Sequence, residues 1–477
     1  MAFLVAGTLQ AAAQVADTRE SLGRKPSPAL ALPLQGRYGL QGPRAALLLS
    51  SPGVPARIPQ LLEDAFRALG FHSCQRREAE AQAFLGELAG FREQLDAQGG
   101  PVGCALVAVV APAGQLRQPL ARELSRSTAL RGCPKVLLLL SSAPGAPLQP
   151  GAFPSSLAEL CGRAPQQPLL RLLTEVFLRV TEASPGATGC PVLRSSLRGS
   201  LCLQEVEPWK PEPEGVGTRY ELAGARAALI VAVVRGRPGA LRDVEALRGL
   251  CQALGFQTTV RTDATAQAFQ EELARFREQL DSGRGTVSCA LVALMAHGGP
   301  GGQLQGADGQ AVQHEALVRE LSRCRALRGR PKIFLLQACR GGHRDAGVGR
   351  PALSWFWRWL QAPPVTPSHA DILQVYASAQ GMSSGDPAPG SCEQADILTA
   401  YAAAQGHVAY RDESGSDFIQ TLVEVIRAEP QGELLELLTE VNRRVCELDV
   451  LGPDSDEPRK ACLEIRSSLR RALHLRP

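Results

Sequence analysis

The chain has 477 residues, 44% hydrophobic and 21% charged, with 51 Lys+Arg against 47 Asp+Glu for a net charge of +4. That length exceeds one ordinary core and points to two or three domains. The near-neutral balance, without a long basic block, argues against nucleic-acid or membrane-surface binding, and no apolar run reaches the roughly 18 residues of a spanning helix. Thirteen cysteines, scattered without CxxC pairs or histidine clusters, oppose a disulfide framework or a zinc site. They suit a reducing compartment, cytoplasmic or nuclear, and neither metal nor cofactor is expected.

In chain order, residues 1–36 begin "MAFLVAGTLQAAAQVAD", mildly apolar but without the basic start of a signal peptide, and read as a flexible leader. From residue 37 the chain is written twice. "RYGLQGPRAALLL" (37–49) returns as "RYELAGARAALIV" (219–231), and "FLGELAGFREQLD" (84–96) as "FQEELARFREQLD" (269–281). "LARELSRSTALRGCPK" (120–135) returns as "LVRELSRCRALRGRPK" (317–332), and "RSSLR" (194–198) recurs at 466–470. The period is too long for a solenoid, so each copy reads as a domain: 37–202, a Pro/Glu-rich linker 203–218, then 219–477.

Within the second copy, "AALIVAVV" (227–234) is a β-rich run, and 241–255 has helical apolar spacing with Gly255 as its stop. A second amphipathic helix (266–280), a strand "CALVALMA" (289–296), a helix (314–323) and a strand "KIFLLQA" (332–338) follow. Strands apolar on both faces, alternating with helices, predict an α/β fold: a mostly parallel central sheet with helices on both sides. Chemistry in such sheets sits beyond the carboxyl ends of the strands. His297 and Cys339 fall there, 42 residues apart. A thiol within reach of an imidazole can surrender its proton, and the imidazole can return it to a leaving amine. The backbone N–H groups of Gly298 and Cys339 are candidates to hold a developing oxyanion.

"QACRG" (337–341), with "HG" (297–298) upstream, resembles the caspases, the cysteine peptidases that cleave after aspartate. The resemblance extends over 219–477. "HVAYRDESGSDFIQTLVEVI" (407–426) and "LEIRSSLRRALHL" (463–475) are similar to the epidermal, caspase-fourteen branch of that family. It implies two caspase-like domains, the first truncated. It divides the second into a large subunit (about 219–345), an inter-subunit linker (about 346–394) and a small subunit (about 395–477). It also implies protein or peptide substrates bearing aspartate, held by Arg237, Gln337 and Arg411, with Val408 and Tyr410 lining the neighbouring subsite. Two guanidiniums can fork a carboxylate, and an uncharged residue there would leave buried cations unpaired. Asp345 is the best-placed acceptor for activating cleavage, and a role in cell death or differentiation follows from the resemblance alone.

Three features depart from the family pattern. Ala296 stands where serine is usual, alanines follow Tyr401, and "ADILQVYASAQG" (370–381) recurs as "ADILTAYAAAQG" (395–406). The second of these runs directly into Tyr410 and Arg411 and is assigned as the family's strand. The first then lies in the linker, looped out or contending for the same slot. In the first copy, Pro112, Ala113, Leu140 and Ser142 replace His297, Gly298, Gln337 and Cys339, and 68 residues are absent, including any counterpart of Arg411. That copy reads as an inactive pseudo-partner docked through its last strand; homodimerisation of the second copy is the competing arrangement. The competing function is a weakly catalytic regulator that binds other caspases.

Overall fold

The computed structural model describes residues 36–40, 42–71, 73–98, 100, 102–111, 120–141, 151–184, 189–204, 217–299, 302–340, 367–379, 394–405, 407–448, 450–452 and 455–476. The leader to residue 35, Pro112, Ala113, Ser142 and Asp345 lie outside them.

The first half of the chain runs β1 (Arg44–Ser50), α1 (Arg57–Ala68), β2 (Ser73–Glu78), α2 (Phe84–Ala97), β3 (Cys104–Ala111), α3 (Leu120–Ser125), β4 (Lys135–Ser141), α4 (Ala152–Arg163), α5 (Leu169–Glu182) and β5 (Cys190–Ser195). The second half opens with β6 (Ala225–Ala232), α6 (Ala240–Ala253), β7 (Phe256–Thr262), α7 (Ala266–Ser282) and β8 (Val287–Met295). A small sheet of β9 (His297–Gly298), β10 (Gln303–Gln305) and β11 (Ala311–Gln313) precedes α8 (His314–Ser322) and β12 (Lys332–Gln337). Then come β13 (Ile372–Ala379), β14 (Ile397–Tyr401), a hairpin of β15 (Arg411–Asp412) and β16 (Gly415–Ser416), α9 (Asp417–Ala428) and α10 (Leu434–Glu447). The chain closes on a hairpin of β17 (Val450–Gly452) and β18 (Ser455–Arg459), and on β19 (Glu464–Ser467).

Twelve of these strands form one mixed sheet, ordered β2-β1-β3-β4-β13-β5-β19-β14-β12-β8-β6-β7. Both outer parts are parallel, and the centre is antiparallel, where β5 meets β19. There Ser195 pairs with Ile465, Arg194 with Arg466 and Leu193 with Ser467, a register symmetric about the two arginines. The small alternating side chains explain the layers. Along β6, Ala228, Ile230 and Ala232 join the core under α6, α9 and α10, while Leu229 and Val231, with Val233 just past the strand, join the one under α7 and α8. Along β1, Ala46 and Leu48 face one core and Leu47 and Leu49 the other. Each leucine or valine so buried contributes about 1.5–3 kcal/mol. Among the described residues, no helix is long and apolar enough to cross a membrane.

The duplicated segment departs from expectation. Residues 370–379 neither loop away nor contend for the position of β14. They form β13 in the other part of the sheet, parallel to β4 and antiparallel to β5. Among the described residues no strand of the first copy lies between β4 and β5, and the counterpart of β14 falls in its 68-residue deficit.

α10 reaches across the centre. Asn442 donates through Nδ2 to the carbonyls of Ser196 (3.0 Å) and Leu197 (2.9 Å). Nearby, burial pushes the Glu436 carboxyl above its usual range, against the opposing pull of Ser200, Arg37 and Arg171, and its Oε1 is without a hydrogen-bond partner. The neutral acid therefore suits the fold. Stability from this group is full below the unfolded carboxylate pKa and is lost as pH rises through the higher folded value. Glu436→Gln should accordingly raise Tm relative to the parent at pH 8, with the difference shrinking toward pH 4, as read by thermal denaturation across that range.

Candidate functional site

β8 and β12 run in parallel register, with Met295 opposite Gln337. His297 and Cys339 each lie two residues beyond that pair, so the register itself sets them side by side at the carboxyl edge. The Ala296 N–H donates to the Gln337 carbonyl at 3.2 Å, extending the pairing by one step. Gly298 is there because nothing larger fits: an added Cβ would overlap the Cys339 carbonyl. The contact brings the two backbone amides named above close together. Cys339 is half-buried. Its sulfur accepts from the Ala409 N–H at 3.4 Å and lies 3.7 Å from the Ala409 carbonyl. His297 is exposed. Its imidazole is held below its ordinary value by partial burial first, then by the positive fields of Arg237 and Arg411. It therefore stays neutral, and able to accept a proton, to lower pH than a free histidine.

The two arginines come from opposite sides. Arg237 sits in the turn between β6 and α6 and is only 4% exposed. It donates from Nη1 to the Val233 carbonyl at 2.6 Å, and its Nε has no hydrogen-bond partner. Burial, then the like charge of Arg411, lowers Arg237 to about 10. Arg411 begins β15 and donates from Nε to the Pro238 carbonyl at 2.8 Å. Gln337 is 2% exposed, and its Oε1 also lacks a hydrogen-bond partner. Two cations that repel one another, one of them with an unpartnered Nε donor, can hold an anion, and a carboxylate matches the guanidinium fork. Val408 and Tyr410 are half-buried on either side of Ala409. Of the expected site residues, all but Asp345 lie within the described structure. In the first half the position corresponding to Gln337 holds the buried apolar Leu140.

Several residues that hold this geometry carried no distinguishing sequence signal. Asp243 of α6, 1% exposed, accepts from the Ser416 N–H at 2.9 Å and from Gln420 Nε2 at 2.8 Å. Ser416 in turn caps α9 by accepting from the Ile419 N–H at 3.3 Å. Asp243 thus fixes the β15–β16 hairpin that carries Arg411, and its negative field offsets part of the repulsion in the pocket. Gly239 leaves room for this docking, since a Cβ there would overlap the Asp412 carbonyl. Behind the cysteine, Arg340 pairs with Glu464 of β19 at 2.9 Å and lies over the Tyr401 ring at 4.0 Å. Its N–H donates to the His407 carbonyl at 2.8 Å. His314 bridges Tyr401 Oη (3.1 Å) and the Gly302 carbonyl (2.6 Å), anchoring the residue that precedes β10. Arg340 was visible in the motif itself; Glu464, His314 and Asp243 were isolated polar residues until the fold brought their partners to them.

A family model described as "Caspase domain" matches residues 225–473. Human Caspase-14 is 39% identical over 262 residues, 54% of this chain and 96% of the relative, and mouse Caspase-14 is 36% identical over 271 residues, covering 54% and 94%. Among solved structures, caspase-1 from Spodoptera frugiperda aligns at 24% identity and a TM-score of 0.43, covering 56% of this chain and 98% of its own.

Replacing Asp243 by Ala would leave the Ser416 N–H and the Gln420 amide without their buried acceptor. At about 1–3 kcal/mol for each such group, we expect Asp243→Ala to lower the urea midpoint measurably, with Asp243→Asn recovering part of the loss.

Proposed function

The chain belongs to the caspase family and is a cysteine-type peptidase of that family, and from that premise we propose that it cleaves polypeptides after aspartate at a single site in its second half. The observation carrying this reading is the register of β8 and β12, which ends His297 and Cys339 together beside two crowded arginines. The substrate aspartate enters between Arg237 and Arg411, with Gln337 donating through its amide nitrogen. Val408 and Tyr410 contact the preceding residue. His297 takes the proton from Cys339 Sγ, and the thiolate attacks the scissile carbonyl carbon. The oxyanion is held by the N–H groups of Gly298 and Cys339. His297 then protonates the leaving amine, and a water activated by the same imidazole hydrolyses the thioester.

Domain roles follow from the same premise. Residues 219–477 are the catalytic domain, and 37–202 are a degenerate copy without base, nucleophile or pocket. We assign the degenerate copy the position of a second subunit, held through β5 and β19 and kept at roughly millimolar effective concentration by the tether. The active species would then have the mass of one chain. Light scattering with activity assayed across the peak tests this; activity confined to a species of two chains would sink it. Cleavage at Asp345 is the proposed processing event.

An electrophilic aspartyl peptide should label Cys339, identified by peptide mass, and Cys339→Ala should abolish labelling. No adduct, even in dimer-promoting salt, would favour the regulator that binds other caspases. Arg411→Ala should reduce kcat/KM for an aspartyl substrate by roughly 10²–10³-fold, the equivalent of about 3–4 kcal/mol for a broken ion pair, while a matched asparaginyl substrate changes little. Because His297 is depressed, the acid limb of the kcat/KM profile should fall below the ordinary histidine value of about 6.5. A limb above that value would contradict His297 as the base.

A further inference from the structure

β13 and β14 are nearly one sequence in two slots, and each slot grips its strand by the same device. Asp371 and Asp396 both sit at positive φ, 66° and 61°, immediately before their strands. Asp371 accepts from Tyr38 Oη (2.7 Å) and from Arg198 Nε and Nη2 (2.9 and 2.8 Å). Asp396 accepts from Tyr220 Oη (2.6 Å) and from Arg470 Nε and Nη2 (2.9 and 2.6 Å). The backbone bonds correspond too. Lys135 N–H donates to the Asp371 carbonyl and Lys332 N–H to that of Asp396, while Ser196 and Ser468 pair with Ile372 and Ile397. Leu373, Val375 and Ala377 then enter the apolar core of the first half, as Leu398, Ala400 and Ala402 enter that of the second.

We propose that the first half carries a strand-binding slot between β4 and β5, and that the chain fills it in cis with residues 370–379, a duplicate of β14 retained for that purpose. The slot reads a buried bidentate carboxylate followed by apolar residues at every second position. Chain direction supports the cis route. β13 is antiparallel to β14 in the sheet, so the end of β13 and the start of β14 lie on one edge, three strand spacings or about 14 Å apart. The intervening residues 380–393 reach roughly three times that far when extended. The same segment also touches the catalytic side. The His369 ring stands 4.4 Å from that of His407, two residues from the Ala409 that contacts Cys339. The segment thus has a binding role that is independent of the proposed peptide cleavage.

Hydrogen exchange read by mass spectrometry on the full chain tests this without any assumption about activity. Amides of 373–377 should exchange at least about 100-fold more slowly than in an unstructured peptide, matching those of 398–401. Asp371→Asn keeps a residue that tolerates positive φ and removes the charge that Arg198 grips. It should speed exchange in 373–377 by roughly tenfold or more and leave 398–401 unchanged, with Asp396→Asn doing the converse. Exchange of 373–377 at the unstructured rate in the parent chain overturns the proposal, and so does equal acceleration of both segments by Asp371→Asn, the mark of one slot shared by two strands. Protection that appears only with a two-chain mass overturns the cis assignment. Should Asp371→Asn fail to fold, exchange in the parent chain decides alone.

Discussion

A strand inside a sheet has two rows of backbone N–H and C=O groups, and in a buried centre both rows must find partners. The four central strands of this molecule, β13, β5, β19 and β14, meet that requirement together. β5 and β19 each lend one row to the other and the second row to a duplicated strand, β13 for β5 and β14 for β19. Remove either neighbour and an inner strand becomes an edge, open to pairing with whatever is near. The joint between halves therefore depends on both duplicated segments being in place, as well as on the pair that meets at the symmetry point.

That joint is electrically unusual. Arg194 and Arg466 stand opposite one another in register, a destabilising arrangement if left alone. The counter-charge comes from Glu464. Burial works to raise its carboxyl, but Arg340, Arg194 and Arg466 outweigh burial and hold it below its usual range. The first half has Val192 at the corresponding place, so one glutamate serves the cations of both halves and the arginine behind Cys339. The centre of the sheet and the strand that leads to Cys339 thus share a carboxylate, and a change in how the halves meet bears directly on the residue next to that thiol.

Much of this was legible in the chain. Runs apolar on both faces gave the parallel strands, and internal comparison gave the two copies. His297 and Cys339 stood out because both fall at strand ends, whereas Arg237 and Arg411 were legible only through the family resemblance. Less legible was everything that depends on which strand goes where. "ADILQVYASA" reads as a strand from its pattern, but a pattern of period two does not name a neighbour. The missing information was the vacancy in the first copy, visible only when its deficit is counted in strands rather than residues. Asp371 and Asp396 were likewise unreadable. An aspartate before a strand gives no sign that it will adopt positive φ and receive an arginine from far along the chain. Asp243 reads as one more helix-surface acid until α6 is packed against the β15–β16 hairpin.

β13 also sets an order of events. Its bond to Ser196 joins residues 176 apart, and the bond of the preceding Asp371 to Tyr38 joins residues 333 apart. During synthesis, β1 to β5 are all available long before residue 372 is made. At about 5–20 residues per second, the ribosome needs roughly 10–35 s to cover the distance from Ser196 to Ile372. Until then the strand that pairs with both β4 and β5 is not yet available to either. The amino-terminal half thus completes its part of the sheet only with a strand made after β6 to β12, and β14 and β19 of the other half follow later still.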